Sequence, residues 1–250
     1  MKRRKKDRQH LTAAKNAPAA VRHNSERGFV MSNYVLKYKR GEEVKYLSHL
    51  DFMRFFQRVL RRAGLPMSFS KGFNPHPIMT VAMPLSVGVT ADGELIKIGL
   101  EADYDGDDLK KIINFALPKG FEIVAAKKLS DNKEIDFSKL DRADYICRCE
   151  LKGNVIPDVK EFLANKELIV MKKTKSGIKE ADIRPHIQKL KIIPEENNEI
   201  TIKMRVDAGN IYNLKPDTVI EAMKKYTDGF DVEFYSVHRC ALLAVNKELL

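Results

Sequence analysis

The stretch from Tyr46 to Pro84, YLSHLDFMRFFQRVLRRAGLPMSFSKGFNPHPIMTVAMP, concentrates the strongest local signals in the chain. Ser48 supplies a helix cap and Asp51 sits three residues later, close to a capping box, so the unpaired amides of a first turn find partners. A helix over His49 to Ala63 follows. Phe52, Met53, Phe56, Val59, Leu60 and Ala63 recur at helical spacing as its apolar stripe, and Arg54, Arg58, Arg61 and Arg62 fall largely on the other side. Gly64 ends the helix and Pro66 prevents its return. Ser68 to Pro77 then sets Lys71, Phe73, Asn74 and His76 among Gly72, Pro75 and Pro77, a stiff loop beside a cationic helix.

Working outward, the pattern becomes regular from Asn33. Tyr34 to Tyr38 alternates as a strand, and Ile78 to Met83 and Glu94 to Leu100 read as strands around a turn at Ala91, Asp92 and Gly93. Asp107 to Ala116 reads as a helix with acids at its positive end, and Phe121 to Lys128 as another strand. This order is βαββαβ, the split βαβ of a ferredoxin-like unit. After a polar connector the rhythm returns less cleanly. Tyr145 to Leu151 is a strand, Pro157 to Leu163 a short helix opening on proline, Leu168 to Lys173 a strand, and Ile178 to Ile193 an irregular insertion. Ile200 to Val206, Pro216 to Tyr226 and Phe230 to Val237 complete it as strand, helix and strand. The expected fold class is α+β, two tandem ferredoxin-like (βαββαβ) halves with the second irregular. The units expected are a basic tail at 1–30, a first domain at 31–130, a linker at 131–143 and a second domain at 144–250.

The 250 residues are 44% hydrophobic, enough to build a core, and carry a formal charge of +11. The first 30 residues hold nine Lys or Arg against two acids, so the other 220 carry only +4. That tail lacks apolar periodicity and is expected to be disordered. Three readings of it stand open: a nucleic-acid contact, an extension translated upstream of Met31, or an organelle transit peptide. Charge in the remainder is polarised. Lys37 to Lys71 holds nine cations and three acids, whereas Asp92 to Asp108 holds seven acids and Lys97. Such polarity suits an oriented anionic partner. No apolar run approaches the roughly 20 residues of a membrane span, and no secretory core is present, so a cytoplasmic location without membrane contact is expected.

Motifs for phosphate-cradling loops, dinucleotide binding, nucleophile elbows and zinc proteases are absent from the sequence. His49, Asp51 and His76 form a possible acid/base or metal group, but Asp51 already has a capping role and the spacing matches no standard ligand set. Cys147 and Cys149 alternate on one strand face and are expected to be buried thiols rather than metal ligands; neither a metal nor a cofactor is expected. Phe69 is expected in the core and Phe73 in the turn itself, where it can stack on an unpaired base. The candidate nucleic-acid-binding residues are therefore Arg54, Arg58, Arg61, Arg62, Lys71, Phe73, Asn74 and His76, with no catalytic residue among them.

Three blocks, KYLSHLDFMRFFQRVLRRAGLPMSFSKGFNPHPIMTVAMPLSVGV, GELIKIGL and ADIRPHIQKL, resemble the bacterial radical SAM-linked protein family, a domain of unknown function, over about Tyr34 to Val237. The resemblance implies partnership with a radical SAM enzyme. This chain has no CxxxCxxC, so the resemblance does not extend to that enzyme's chemistry. The reading that follows is a non-catalytic partner that binds RNA or presents a substrate, in RNA or ribosome modification. Two alternatives stand beside it: a metal-independent endoribonuclease using His49 or His76, on a fold-level likeness to CRISPR RNA-processing enzymes, and a protein adaptor without nucleic-acid contact.

Because burial decides tolerance to truncation, a chain starting at Met31 is expected to melt at the temperature of the full chain. Thermal melts of the two forms check this, and a loss of several degrees would show that the tail packs.

Overall fold

The computed structural model describes residues 31–130, 135–174, 177–244 and 247–248. The basic tail and part of the polar connector lie outside the described residues, as do Lys175 and Ser176. Among the described residues the architecture is α+β, with four α-helices and a large mixed sheet.

The first half runs β1 (Ser32–Arg40), α1 (His49–Arg62), β2 (Met79–Val81), β3 (Thr90–Leu100), α2 (Gly106–Ala116) and β4 (Phe121–Lys128). β1 lies antiparallel between β4 and β3, with Leu36 opposite both Ala126 and Ile96, and β2 adds antiparallel to β3 with Thr80 opposite Lys97. Alternation along β1 and β3 turns Tyr34, Leu36, Ile96 and Ile98 onto one face, where they meet Phe56 and Leu60 of α1 and Ile113 of α2. An aromatic stack fills one end of this core. Tyr38 lies on Phe52 at 5.1 Å between ring centroids, and Phe55 on Phe121 at 4.9 Å.

The second half runs β5 (Arg142–Leu151), α3 (Val159–Ala164), β6 (Ile169–Thr174), β7 (Gly177–Asp182), β8 (Ile187–Pro194), β9 (Glu199–Asp207), α4 (Pro216–Tyr226), β10 (Val232–Ala244) and β11 (Lys247–Glu248). Its strands stand in the order β10-β5-β9-β8, neighbours antiparallel. Cys147, Cys149, Ile202 and Met204 turn to the face covered by α4, whose Val219 and Met223 are fully buried. Both thiols are thus core residues, as the alternation predicts. Burial is the main reason their pKa values rise, that of Cys149 to about 12.

Three sequence expectations are corrected. Among the described residues, the strand at Leu168 to Lys173 does not join the main sheet. β6 pairs only with β7 as a separate hairpin, and β8, inside the supposed irregular insertion, takes the edge beside β9. A register shift between Ile187 and Lys189 breaks the two-residue period of β8, so it does not read as a strand. Ala91 to Gly93 is strand, not turn. The turn falls at Val87 and Gly88, where Gly88 takes φ +84°, and Gly93 serves a close approach. A Cβ there would lie 3.2 Å from the Cys240 carbonyl oxygen. Finally, Asp158 rather than Pro157 opens α3, its side chain accepting from the amides of Lys160 and Glu161.

The halves are joined into one sheet by β3 and β10, which run parallel with Thr90 opposite His238 and Ala91 opposite Arg239. A buried ion pair closes this seam. Arg239 Nε donates to Glu94 Oε1 at 2.7 Å, and its Nη2 donates both to Glu94 Oε2 and, at 2.9 Å, to the Met83 carbonyl. The two residues are 2% and 0% exposed. Burial alone would lower the guanidinium's pKa; the charge of Glu94 and its hydrogen bonds outweigh it, and the net shift is upward.

Removing one partner of such a pair strands a buried charge, so Glu94→Gln is expected to cost about 3–5 kcal/mol, while Glu94→Leu with Arg239→Met recovers most of it. Urea melts measure both. A Glu94→Gln chain as stable as the parent would show that the pair does not hold the seam.

Candidate nucleic-acid interface

α1 begins as its sequence predicts. The Ser48 hydroxyl oxygen accepts from the Asp51 amide at 3.2 Å and donates to Asp51 Oδ2 at 2.7 Å, which commits that carboxylate to the cap. Phe52, Phe56, Val59 and Leu60 are buried, while Met53 and Ala63 are partly so. Gly64 at φ +71° turns the chain away.

The four arginines divide. Arg62 donates from Nη2 to the Ala116 carbonyl at the end of α2, satisfying an unpaired helix-terminal acceptor. Arg54, Arg58 and Arg61 are exposed at three- and four-residue spacing and form one row, joined at its start by exposed Leu50. Arg54 has a carboxylate at 3.9 Å, that of Asp51, with both side chains mostly in solvent. Such exposed pairs contribute little. Among the described residues, Arg58 and Arg61 have no ion pair.

The following loop is a hairpin stitched to the sheet. The Ser68 amide donates to Gly99 O at 2.9 Å, Gly99 N to Ile78 O at 2.9 Å and Ile78 N to Ser68 O at 2.8 Å. Nearer the tip, Ser70 N donates to His76 O at 2.8 Å, and the Ser70 hydroxyl accepts from His76 N at 3.0 Å. Gly72 at φ +130° makes the turn, and Pro75 and Pro77 stiffen the return. Lys71, Asn74 and His76 are exposed, and Phe73 is held fully in solvent. Phe69 is corrected: it is 47% exposed, because it pairs with Pro77 within the hairpin instead of turning inward. Asp51 is engaged with Ser48 and Arg54 rather than with His49 or His76. Among the described residues no His, Cys, Asp or Glu cluster is placed to hold a metal.

Two side-chain groups escaped the sequence reading because their members lie far apart in the chain. His238 bridges Thr90 Oγ1, 2.8 Å from Nδ1, and Asp92 Oδ2, 3.0 Å from Nε2, at the β3–β10 seam. His186 meets Asp207 at 2.8 Å and stacks on Tyr212 with centroids 3.4 Å apart, and Lys172 Nζ lies 3.8 Å from the same ring centroid. Its neighbours in ADIRPHIQKL are braces. Asp182 accepts from the amides of Leu168 and Arg184, and Arg184 Nε donates to Leu163 O at 2.8 Å. Their local signal was the Asp-x-Arg-Pro-His run itself, in which a short polar side chain caps a turn.

Among solved structures, the chain is similar to one in a Cbf5-Nop10-Gar1 complex at 10% identity and a TM-score of 0.45, over 84% of this chain and 48% of that one. It is similar to one in an H/ACA RNP bound to a substrate RNA containing 2'-deoxyuridine at 11% identity and 0.41, over 83% and 46%. An unknown protein from Galdieria sulphuraria matches at 14% identity and 0.25, over 84% and 99%. The chain spans about half the length of the first two. At these scores the overlaps carry no functional weight. No curated protein matches, and no described helix is long and apolar enough to cross a membrane. Residues 33–216 match the family described as an uncharacterized protein conserved in bacteria (DUF2344), and with most of its length covered the chain belongs to that family.

Proposed function

We propose that this chain is a non-catalytic, cytoplasmic RNA-binding protein that presents RNA to a radical SAM enzyme. The observation that carries the RNA reading is the row of Arg54, Arg58 and Arg61 followed directly by a braced hairpin that holds Phe73 in solvent. Cations in a row attract a phosphate backbone, and a solvated aromatic offers a face to any unpaired base. The bracing lowers the entropy lost on binding, because the loop is already in one shape. Lys71, Asn74 and His76 add donors around the ring. Arg62, tied to Ala116, contributes charge from a fixed position.

The radical SAM partnership rests on the resemblance carried by the three sequence blocks, and the presenting role is our own reading of it. Arg184 and Asp182 of the third block act as braces in this reading, so the block shapes the molecule instead of performing chemistry. We read the halves as two ferredoxin-like units, 31–130 and 144–250, joined through 131–143. The orders β4-β1-β3-β2 and β10-β5-β9-β8 support that division, with the β6–β7 hairpin as an insertion in the second.

Titrating labelled single-stranded RNA at several salt concentrations tests the reading. Arg54→Gln with Arg58→Gln is expected to remove about one to two units from the log–log salt slope at unchanged melting temperature. Phe73→Ala is expected to weaken binding by about 1–3 kcal/mol, also without loss of stability. Parent protein without salt-dependent RNA affinity would leave the adaptor as the better account, and RNA cleavage by the purified chain would replace presentation with nuclease activity.

A further inference from the structure

Alternation along β5 sends Tyr145, Cys147 and Cys149 into the core under α4 and leaves Asp144, Ile146, Arg148 and Glu150 on the opposite face. Register carries that face across the neighbouring strands. Ser236, Arg148 and Thr201 form one row, and His238, Ile146, Lys203 and Lys191 the next. Three hollows meet at Ile146 on this face, of about 750, 660 and 690 Å³. The largest lies at the seam and is lined by Arg148, Ser236 and His238 on one side and by Lys39, Lys119 and Phe121 of the first half on the other.

Charge on this face is arranged against its own stability. Lys191 stands directly opposite Lys203, and Lys189 opposite Arg205, two like-charged cross-strand pairs in succession. Such pairs destabilise a sheet. Asp144 neutralises Arg205 through two hydrogen bonds of 2.7 Å. Among the described residues Lys189, Lys191, Lys203 and Arg148 have no ion pair. Beside them His238 is fixed at both ring nitrogens, and Phe234, on the same face as Glu150, is 57% exposed.

We propose that this sheet face is a second RNA-binding surface: single-stranded RNA lays its phosphates along Lys191, Lys203 and Arg148, and one nucleotide enters the seam cleft against His238. The inference rests on the RNA reading above and extends it to a surface distinct from α1. An anionic backbone relieves the lysine repulsion that the free sheet carries, and the cleft falls within the roughly 300–1,000 Å³ that holds a small ligand. Asp92 and Thr90 keep the imidazole oriented, so its flat face is presented without prior ordering.

Ultraviolet crosslinking of the full chain to an oligouridylate containing 4-thiouridine, followed by peptide mapping, tests the inference. Crosslinks within 146–148 or 234–240 are expected in addition to any in 69–76. Lys191→Gln with Lys203→Gln is expected to lower the salt slope by about 0.7 for each phosphate no longer neutralised, while melting at or above the parent temperature because the repulsion is gone. Crosslinks confined to 69–76, together with an unchanged salt slope in this variant, would overturn the second surface and leave the α1 reading intact. Absence of any salt-dependent binding by the parent would overturn both.

Discussion

The ion pair of Arg239 and Glu94 is the constraint on which the remaining structure depends. Two charges removed from water are tolerable only when each satisfies the other, and here the guanidinium also reaches the Met83 carbonyl. That geometry fixes β10 against β3 at one register. Gly93 admits the β10 backbone at close range, and the Thr90–His238–Asp92 chain adds a second clasp on the same strands. A parallel pairing of two residues would otherwise be a weak join. With it, the two halves become one sheet, and the second half's face opposite α4 and the strand ends of the first half come to border a shared cleft.

Helix α1 solves a different problem. Its apolar stripe is taken up by the aromatic stack with Tyr38 and Phe121, and its first turn is capped by Ser48, so the opposite face is free of packing duties. Where an arginine is needed for the fold it is used, as Arg62 is on Ala116. The other three remain in solvent, where long charged side chains contribute little to stability. The adjoining hairpin is more unusual. Backbone bonds to β3 and two prolines fix the hairpin that carries the fully exposed Phe73.

The sheet face lacks that local concentration. Its cations come from β5, β8 and β9, and its imidazole from β10, so only register brings them together. Lys191 and Lys203 stand directly opposite each other on this face, and Glu150 and Glu199 do so farther along β5 and β9. Arg205, balanced by Asp144, shows the neutralised alternative on the next row.

What the sequence determined by itself was whatever depends on neighbours a few residues apart. The Ser48 cap, the apolar stripe of α1, the stiffness of the 68–77 hairpin, the burial of Cys147 and Cys149 and the α+β class all follow from periods of 3.6 and 2 and from turn chemistry. The tertiary structure decided what depends on long separations. It moved the sheet edge from the 168–173 strand to β8, whose period is hidden by a bulge, and made Ala91 to Gly93 a seam instead of a turn. It tied Arg62 to α2, exposed Phe69, and joined Glu94 to Arg239 across 145 residues of chain. Local periodicity carries no record of which strand lies beside which, because pairing is set by where all the buried faces and charges can be satisfied at once.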